Sequence, residues 1–435
     1  MNTYYYINLL LLLIFPFFLY YVVCSRIILH PIIISMCAGV YTYFIGVHLI
    51  VANRPDSAEK FFYLIVAMFL GCYFGRGRKT IKPEYNIEFN RKNALTHLAP
   101  YKSAVVFSLF LVFALFLYKG IPIFAVEPNF AKVTIAHGGG WIITRFVRYF
   151  LFILFYVSII YCFYQIKERA NSGDRNTGIM RRGNRGWIIM GVIMLILFAF
   201  LGFKSNVIGF FLWTICFIAL LTRIRLKHVM VFFLIGGVIS LIILMKLEGA
   251  NLQETISFII ARVGVGSSAG FAWILGSYGR SYEFLHGEGF WFDFSNILLR
   301  LGLQPFIPFE LHKYNFDAFM FDRLMGHNEY LMQVNTSVFG QLYANFGLTT
   351  MVLGAYLFFY LYSKMGNFLV THKKTLIGTP VYFFLFIQLQ TFVGGGPVLI
   401  TIFDTILSLL MFFTLYFVIY LFVYLPYGRL SFKIP

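Results

Sequence analysis

Long apolar runs separated by short polar stretches fill this chain of 435 residues, and that alternation constrains its fold more than any other feature. Crossing a hydrocarbon layer of about 30 Å at about 1.5 Å per residue takes roughly 17–25 apolar residues in a helix. Eleven such runs can be marked, at about 3–23, 27–52, 58–75, 103–118, 141–164, 187–201, 206–221, 229–245, 336–362, 378–393 and 398–424. Only 12% of the residues are charged and 60% are hydrophobic, against roughly 25% and 45–50% in an ordinary soluble domain. These values exclude a soluble globular enzyme, a disordered regulator and a disulfide scaffold. The predicted fold class is an all-α polytopic integral membrane protein with about 11 transmembrane helices, within a range of 10–12. Its predicted divisions are an N-terminal membrane bundle over 1–245, a large external loop over 246–335 and a C-terminal membrane bundle over 336–435.

The net charge of +18 points to membrane orientation and not to nucleic acid. Alternate loops carry 22 of the 35 Lys and Arg residues, chiefly in 76–102, 167–185, 223–227, 364–374 and 429–433. By the positive-inside rule that set is cytoplasmic, so the N-terminus is expected outside, the C-terminus inside and 246–335 outside. This external segment holds six basic and nine acidic residues with His286, His312 and His327. No predicted cytoplasmic loop exceeds about 27 residues, too few for a nucleotide-binding domain. External chemistry without ATP requires a substrate that arrives already activated. The five cysteines lie in or beside apolar runs with no C-x-x-C spacing and read as packing residues. Met1-Asn2-Thr3 lacks the basic start of a cleavable signal peptide, so the first run is expected to be retained. The 54 Phe and 29 Tyr suit lipid-facing bulk better than a sugar platform.

Polar groups at a membrane boundary are costly unless paired or bound, and five features stand out. Arg145 and Arg148 lie three residues apart near the outer end of the fifth run, after Gly138-Gly139-Gly140. They form either an anion site at a helix N-terminus or interfacial anchors. Lys204 sits in the tight turn Gly202-Phe203-Lys204-Ser205, to touch a pyrophosphate or to anchor the hairpin. Arg262, Arg280, Arg300 and Arg323 occupy the external segment, as bidentate phosphate ligands or as partners of Glu254, Glu283, Glu288 and Asp322. His327 and Glu329, in Gly326-His327-Asn328-Glu329-Tyr330, are candidates for a general base. Asp404 is the one acid well inside a predicted span, Glu59 standing at the edge of the third, and is either a cation site or the hydrogen-bond partner of an inward arginine. There is no D-x-D pair, H-E-x-x-H, G-x-x-x-x-G-K-[ST] or G-x-S-x-G. No metal site and no cofactor is expected.

Three stretches, Lys119-Gly120-Ile121-Pro122-Ile123-Phe124, Gly202-Phe203-Lys204-Ser205 and Asn335 to Gly347 ending in Tyr-x-x-Phe-Gly, resemble the bacterial oligosaccharide repeat-unit polymerases, the Wzy-type O-antigen and capsule polymerases. His327-Asn328 is similar to the His-Asn pair of the related O-antigen ligase and polymerase group. The resemblance implies a GT-C-like membrane glycosyltransferase that joins undecaprenyl-diphosphate-linked oligosaccharide repeat units at the periplasmic face of the inner membrane. It implies an inverting, metal-independent transfer, with the lipid diphosphate leaving and a chain-length regulator as a further partner. Arg262, Arg280 and Arg323, with Arg145, Arg148 and Lys204, would hold the diphosphate, and His327 or Glu329 would deprotonate the acceptor hydroxyl. The competing readings are a lipid-linked oligosaccharide flippase, which would need a cationic path through the bundle, and an O-antigen ligase.

Overall fold

The structure is a computed structural model that describes residues 3–23, 42–52, 54–76, 84–88, 141–171, 204–224, 226–248, 251–261, 268–303, 315–326, 334–394 and 397–424, with isolated positions at 40, between 106 and 125 and between 192 and 200. The predicted fourth and sixth spans and most of the second therefore lie largely outside the described residues. The chain is mostly helical. In order, the helices are α1 (Thr3–Val23), α2 (Thr42–Val51), α3 (Pro55–Gly75), α4 (Trp141–Asn171), α5 (Lys204–Leu221), α6 (Leu226–Glu248), α7 (Leu252–Ala261), α8 (Ala269–Ser277), α9 (Glu288–Arg300), α10 (Phe316–Met325), α11 (Ser337–Phe346), α12 (Leu348–Thr371), α13 (Gly378–Gly394) and α14 (Val398–Tyr424). Among the described residues, Pro55–Gly75, Val229–Lys246 and Val398–Val418 are long and apolar enough to cross a membrane. Shorter apolar helical stretches cover Thr3–Leu19, Phe152–Lys167, Gly209–Leu221 and Gly378–Val393. This is the composition of a helical membrane protein.

The expected ninth span is not one helix. It breaks at Gly347, whose φ of 81° and ψ of −168° suit glycine alone. The chain reorients there, so that α11 joins the short helices of residues 246–335 and α12 runs on to Thr371. The predicted external loop is not irregular either, since α7 to α10 lie within 246–335. α7 starts with a reciprocal cap: Glu254 N–H donates to Asn251 Oδ1 and Asn251 N–H to a Glu254 carboxylate oxygen, both at 2.9 Å.

The chain divides into two compact units. The first comprises Met1–Pro83, Ile256–His372 and Leu385–Thr405. Its core gathers rings from four helices around Phe44 of α2: Phe61 of α3 at 5.6 Å, and Phe339 of α11 and Phe359 of α12 at 6.4 Å each. The most extensive helix contact is the parallel pair α3 and α12. Gly71 and Gly75 let the backbones approach: a Cβ at Gly71 would lie 2.5 Å from Tyr356 O, and one at Gly75 2.6 Å from Tyr360 O. Small residues four apart let helices pack closely where no water drives them together. Asn367 Nδ2 donates to Arg76 O at 3.0 Å at one end of this pair.

The second unit comprises Glu84–Thr255, Lys373–Phe384 and Ile406–Pro435. Tyr156 of α4, Phe217 of α5 and Phe383 of α13 form a ring cluster with centroids 4.5–5.1 Å apart. Residues of the predicted cytoplasmic loops meet here. Ile87–Glu88 (β1) pairs in parallel with Lys374–Thr375 (β2), and Lys167 Nζ donates to Tyr85 O. Lys374 is fully buried. Burial pushes its amine down to about 8 from 10.5, with Glu84 pulling the other way. Below about pH 8 the folded and unfolded chains both carry the proton, and folding bears the whole cost of burying the charge. Between about 8 and 10.5 only the unfolded chain stays protonated, so stability rises with pH. The thermal unfolding midpoint in detergent should climb from pH 7.5 to 9.5, and Lys374→Met should flatten that climb. An unchanged slope in the variant would refute the assignment.

Candidate functional site

The site is assembled around one turn in the first unit. α8 ends at Ser277 because Tyr278 turns to extended geometry. The Ser277 carbonyl accepts the N–H groups of Ser281 at 2.9 Å and Tyr282 at 3.1 Å, and Gly279 takes a φ of +76°. This tight turn carries Arg280 at its outer tip. The carbonyls ending α8 are partly negative, and two cations from the start of α3 lie beside this end of the helix. Lys60 Nζ donates to Leu275 O at 3.0 Å and lies 5.0 Å from the Tyr343 ring centroid. The Arg54 guanidinium covers Gly276, where an added Cβ would come within 2.8 Å of Nη1.

Arg280 forms an ion pair with Asp56, and the two side chains are 56% and 49% exposed. Exposed pairs of this kind contribute little to stability, so Arg280 has no large structural task. Arg323, in the last turn of α10, is held differently. Its guanidinium stacks on the rings of Phe319 at 4.6 Å and Tyr282 at 5.1 Å, and Nη1 donates to the Tyr278 hydroxyl at 3.3 Å. Burial pushes the Tyr278 phenol up to about 12, with Arg323 drawing it back. The phenol therefore stays neutral, accepts from Arg323 and donates to Met320 Sδ at 3.6 Å. Trp273 and Tyr282 complete an aromatic wall, 5.6 Å between centroids.

A buried polar frame holds this turn. Asp293 of α9 accepts from Gln341 Nε2 at 2.8 Å and from Phe316 N–H at 3.0 Å. Gln341 Oε1 accepts from Val398 N–H at 3.0 Å, tying α11 to the start of α14. Asn345 Oδ1 accepts from Gly287 N–H at 3.1 Å and Gly289 N–H at 3.0 Å, and its Nδ2 donates to Gln341 O at 2.7 Å. Asn345 thus satisfies the first turn of α9, whose own N-cap is a glycine without a side chain. Asp317 accepts from the Thr336 hydroxyl, and the Tyr343 hydroxyl donates to Tyr278 O at 3.1 Å.

Of the residues singled out from the sequence, Arg280 and Arg323 flank the Tyr278–Tyr282 turn. Arg280 pairs with Asp56, and Glu254 caps α7. Asp404 is buried in α14. Arg145 and Arg148 lie in the first turns of α4 and Lys204 begins α5, with side chains outside the described set. Arg262, His327 and Glu329 are outside the described residues. Arg54, Lys60, Tyr278 and Tyr282 were missed. The feature that flagged Arg280, a cation on the predicted outer side, applies equally to Arg54, and Lys60 stands at the adjoining end of the third predicted span. Among the described residues no cluster of His, Cys, Asp and Glu could hold a metal ion. The arrangement can bind an anion through exposed guanidinium and stack a sugar or other flat ligand on the adjoining rings. No family model matches the chain, and no curated protein or solved structure matches it.

Proposed function

We propose that the chain polymerises undecaprenyl-diphosphate-linked oligosaccharide repeat units at the outer face of the bacterial inner membrane, with about eleven spans and the basic loops in the cytoplasm. One observation carries the reading: four cations, Arg54, Lys60, Arg280 and Arg323, gather on residues 275–282, beside exposed tyrosine. Both contributing segments lie in loops, or at the span end beside one, that charge distribution assigns to the non-cytoplasmic side. Anion binding there fits a pre-activated lipid donor and needs no nucleotide site.

In this mechanism the guanidinium of Arg280 leaves Asp56 for the donor diphosphate and stabilises the charge that develops as it departs. The acceptor hydroxyl attacks the anomeric carbon from the opposite face and loses its proton to a base, His327 or Glu329. The bond from the anomeric carbon to diphosphate oxygen breaks, and undecaprenyl diphosphate leaves with the electron pair. Arg323 keeps the aromatic wall in place.

The test is a glycan ladder from a deletion strain complemented with wild type, Arg280→Ala or Asp56→Asn. Deletion should leave single repeat units on the lipid core, whereas loss of a flippase would leave none. Arg280→Ala removes a charge-assisted contact of about 1.5–3 kcal/mol, and long chains should fall roughly 10- to 100-fold at equal membrane expression. Asp56→Asn, which leaves the guanidinium charged, should keep them. Undiminished long chains in the Arg280 variant would remove that residue from the mechanism, and a normal ladder in the deletion strain would end the reading.

A further inference from the structure

α9 buries Asp293 and Ser295 beside Phe292, Ile297 and Leu298, and turns Trp291 and Phe294 outward. Asp293 is fully buried and Ser295 nearly so, while Trp291 is 55% and Phe294 39% exposed. The inward side is committed to the frame described above, since Asp293 accepts from Gln341 and Phe316. On the outward side Trp291 and Phe294 meet edge to face at 5.4 Å, and Phe290 stacks on Phe346 of α11 at 6.0 Å and 22°. Phe346 and, past the end of α9, Leu301 and Leu303 are exposed too. Two adjoining rings with leucines beside them form an exposed apolar patch that is unfavourable against water.

The same apolar exposure runs on in the chain. Two residues after Phe346, α12 begins, and its Leu353, Leu357 and Leu361 recur every four residues as an exposed stripe. Phe359 and Ser363 of that helix face α3 instead. A leucine stripe on a helix packed by Gly71 and Gly75 is what lipid chains cover. Indole rings are enriched where such a helix meets the head-group layer, and phenyl rings belong to the apolar face of a helix lying in it.

We propose that α9 lies along the membrane surface with Trp291 and Phe294 seated at the boundary between head groups and acyl chains, so that its partner is the phospholipid surface itself. This placement is independent of the reaction proposed above. It fixes the external helices against the bilayer from which any lipid-linked ligand would come.

The experiment uses the full chain in phosphatidylcholine nanodiscs, unlabelled or brominated near the top of the acyl chains. The chain holds five tryptophans, so the Trp291 signal is the emission of wild type minus that of Trp291→Phe, which keeps a ring in place. Brominated lipid should quench at least half of that signal, and aqueous iodide should quench less of it. Weak quenching by bromine overturns the placement. Strong quenching by iodide would then mean a water-exposed helix, and quenching by neither would mean cover by protein, such as a second copy of the chain. A ladder lost in Arg280→Ala with no lipid contact at Trp291 would sink this inference and leave the reaction standing.

Discussion

Leucine at Gly71 or Gly75 should leave little protein in a monodisperse, folded state after extraction in mild detergent. The neighbours in question are largely backbone. A Cβ at Gly71 meets Tyr356 O at 2.5 Å and Phe359 Cβ at 3.0 Å, and one at Gly75 meets Tyr360 O at 2.6 Å and Ser363 Cβ at 2.7 Å. None of these is the tip of a side chain that can swing away, so α3 and α12 must separate. Overpacking a core costs about 1–3 kcal/mol where neighbours can give, and more is expected here. Separation also removes the Asn367 hydrogen bond to Arg76 O and that of Ser363 Oγ to Cys72 O at 3.3 Å. Gly237→Ala, where an added Cβ meets nothing within 4 Å, is the control and should behave as wild type. Size-exclusion profiles of tagged variants decide the matter, and a wild-type peak from Gly75→Leu would show that the helices do not pack as described.

Asn345→Ala should loosen α9 and α11 without touching α3 and α12. The change orphans the N–H groups of Gly287 and Gly289. A buried group left without a partner costs about 1–3 kcal/mol, so a total of roughly 2–6 kcal/mol is expected. Asn345→Asp retains the acceptor oxygen for both amides and should lose much less. Hydrogen exchange over 287–300 reads the effect directly: exchange should quicken strongly in the alanine variant and mildly in the aspartate variant. Equal protection in wild type and alanine would mean that the first turn of α9 is satisfied by something else.

Helix bounds were legible where an apolar run ends at a strong break. α1 at Thr3–Val23 and α14 at Val398–Tyr424 coincide with their runs, and α13 overshoots by one residue. α4 continues seven residues past Tyr164 because its hydrogen-bond ladder does not stop where hydropathy does. The break at Gly347 was hidden, since Phe346-Gly347-Leu348 is continuous in polarity and a glycine inside an apolar run says nothing of its φ. The spacing of Gly71 and Gly75 was readable as a packing motif and went unnoticed among 37 glycines. For the site, the outer side of the charge pattern singled out Arg280 and Arg323. The turn that carries Arg280 is met by Arg54, Asp56 and Lys60, more than 200 residues earlier, and no local periodicity encodes such a meeting. Asp293, Gln341 and Asn345 look like ordinary polar residues in sequence, and only burial reveals that they frame the turn.

The α3 and α12 pairing also sets a schedule for biogenesis. Gly75 is synthesised 285 residues before Tyr360, and at about 5–20 residues per second its groove waits roughly 15–60 s for its partner. During that interval α3 has α1 as an early neighbour, while the face bearing the two glycines lacks the helix that closes it. Docking of α12 is therefore a late step of translation, and a ribosome that stalls before residue 348 leaves a nascent chain in which that face of α3 is without α12.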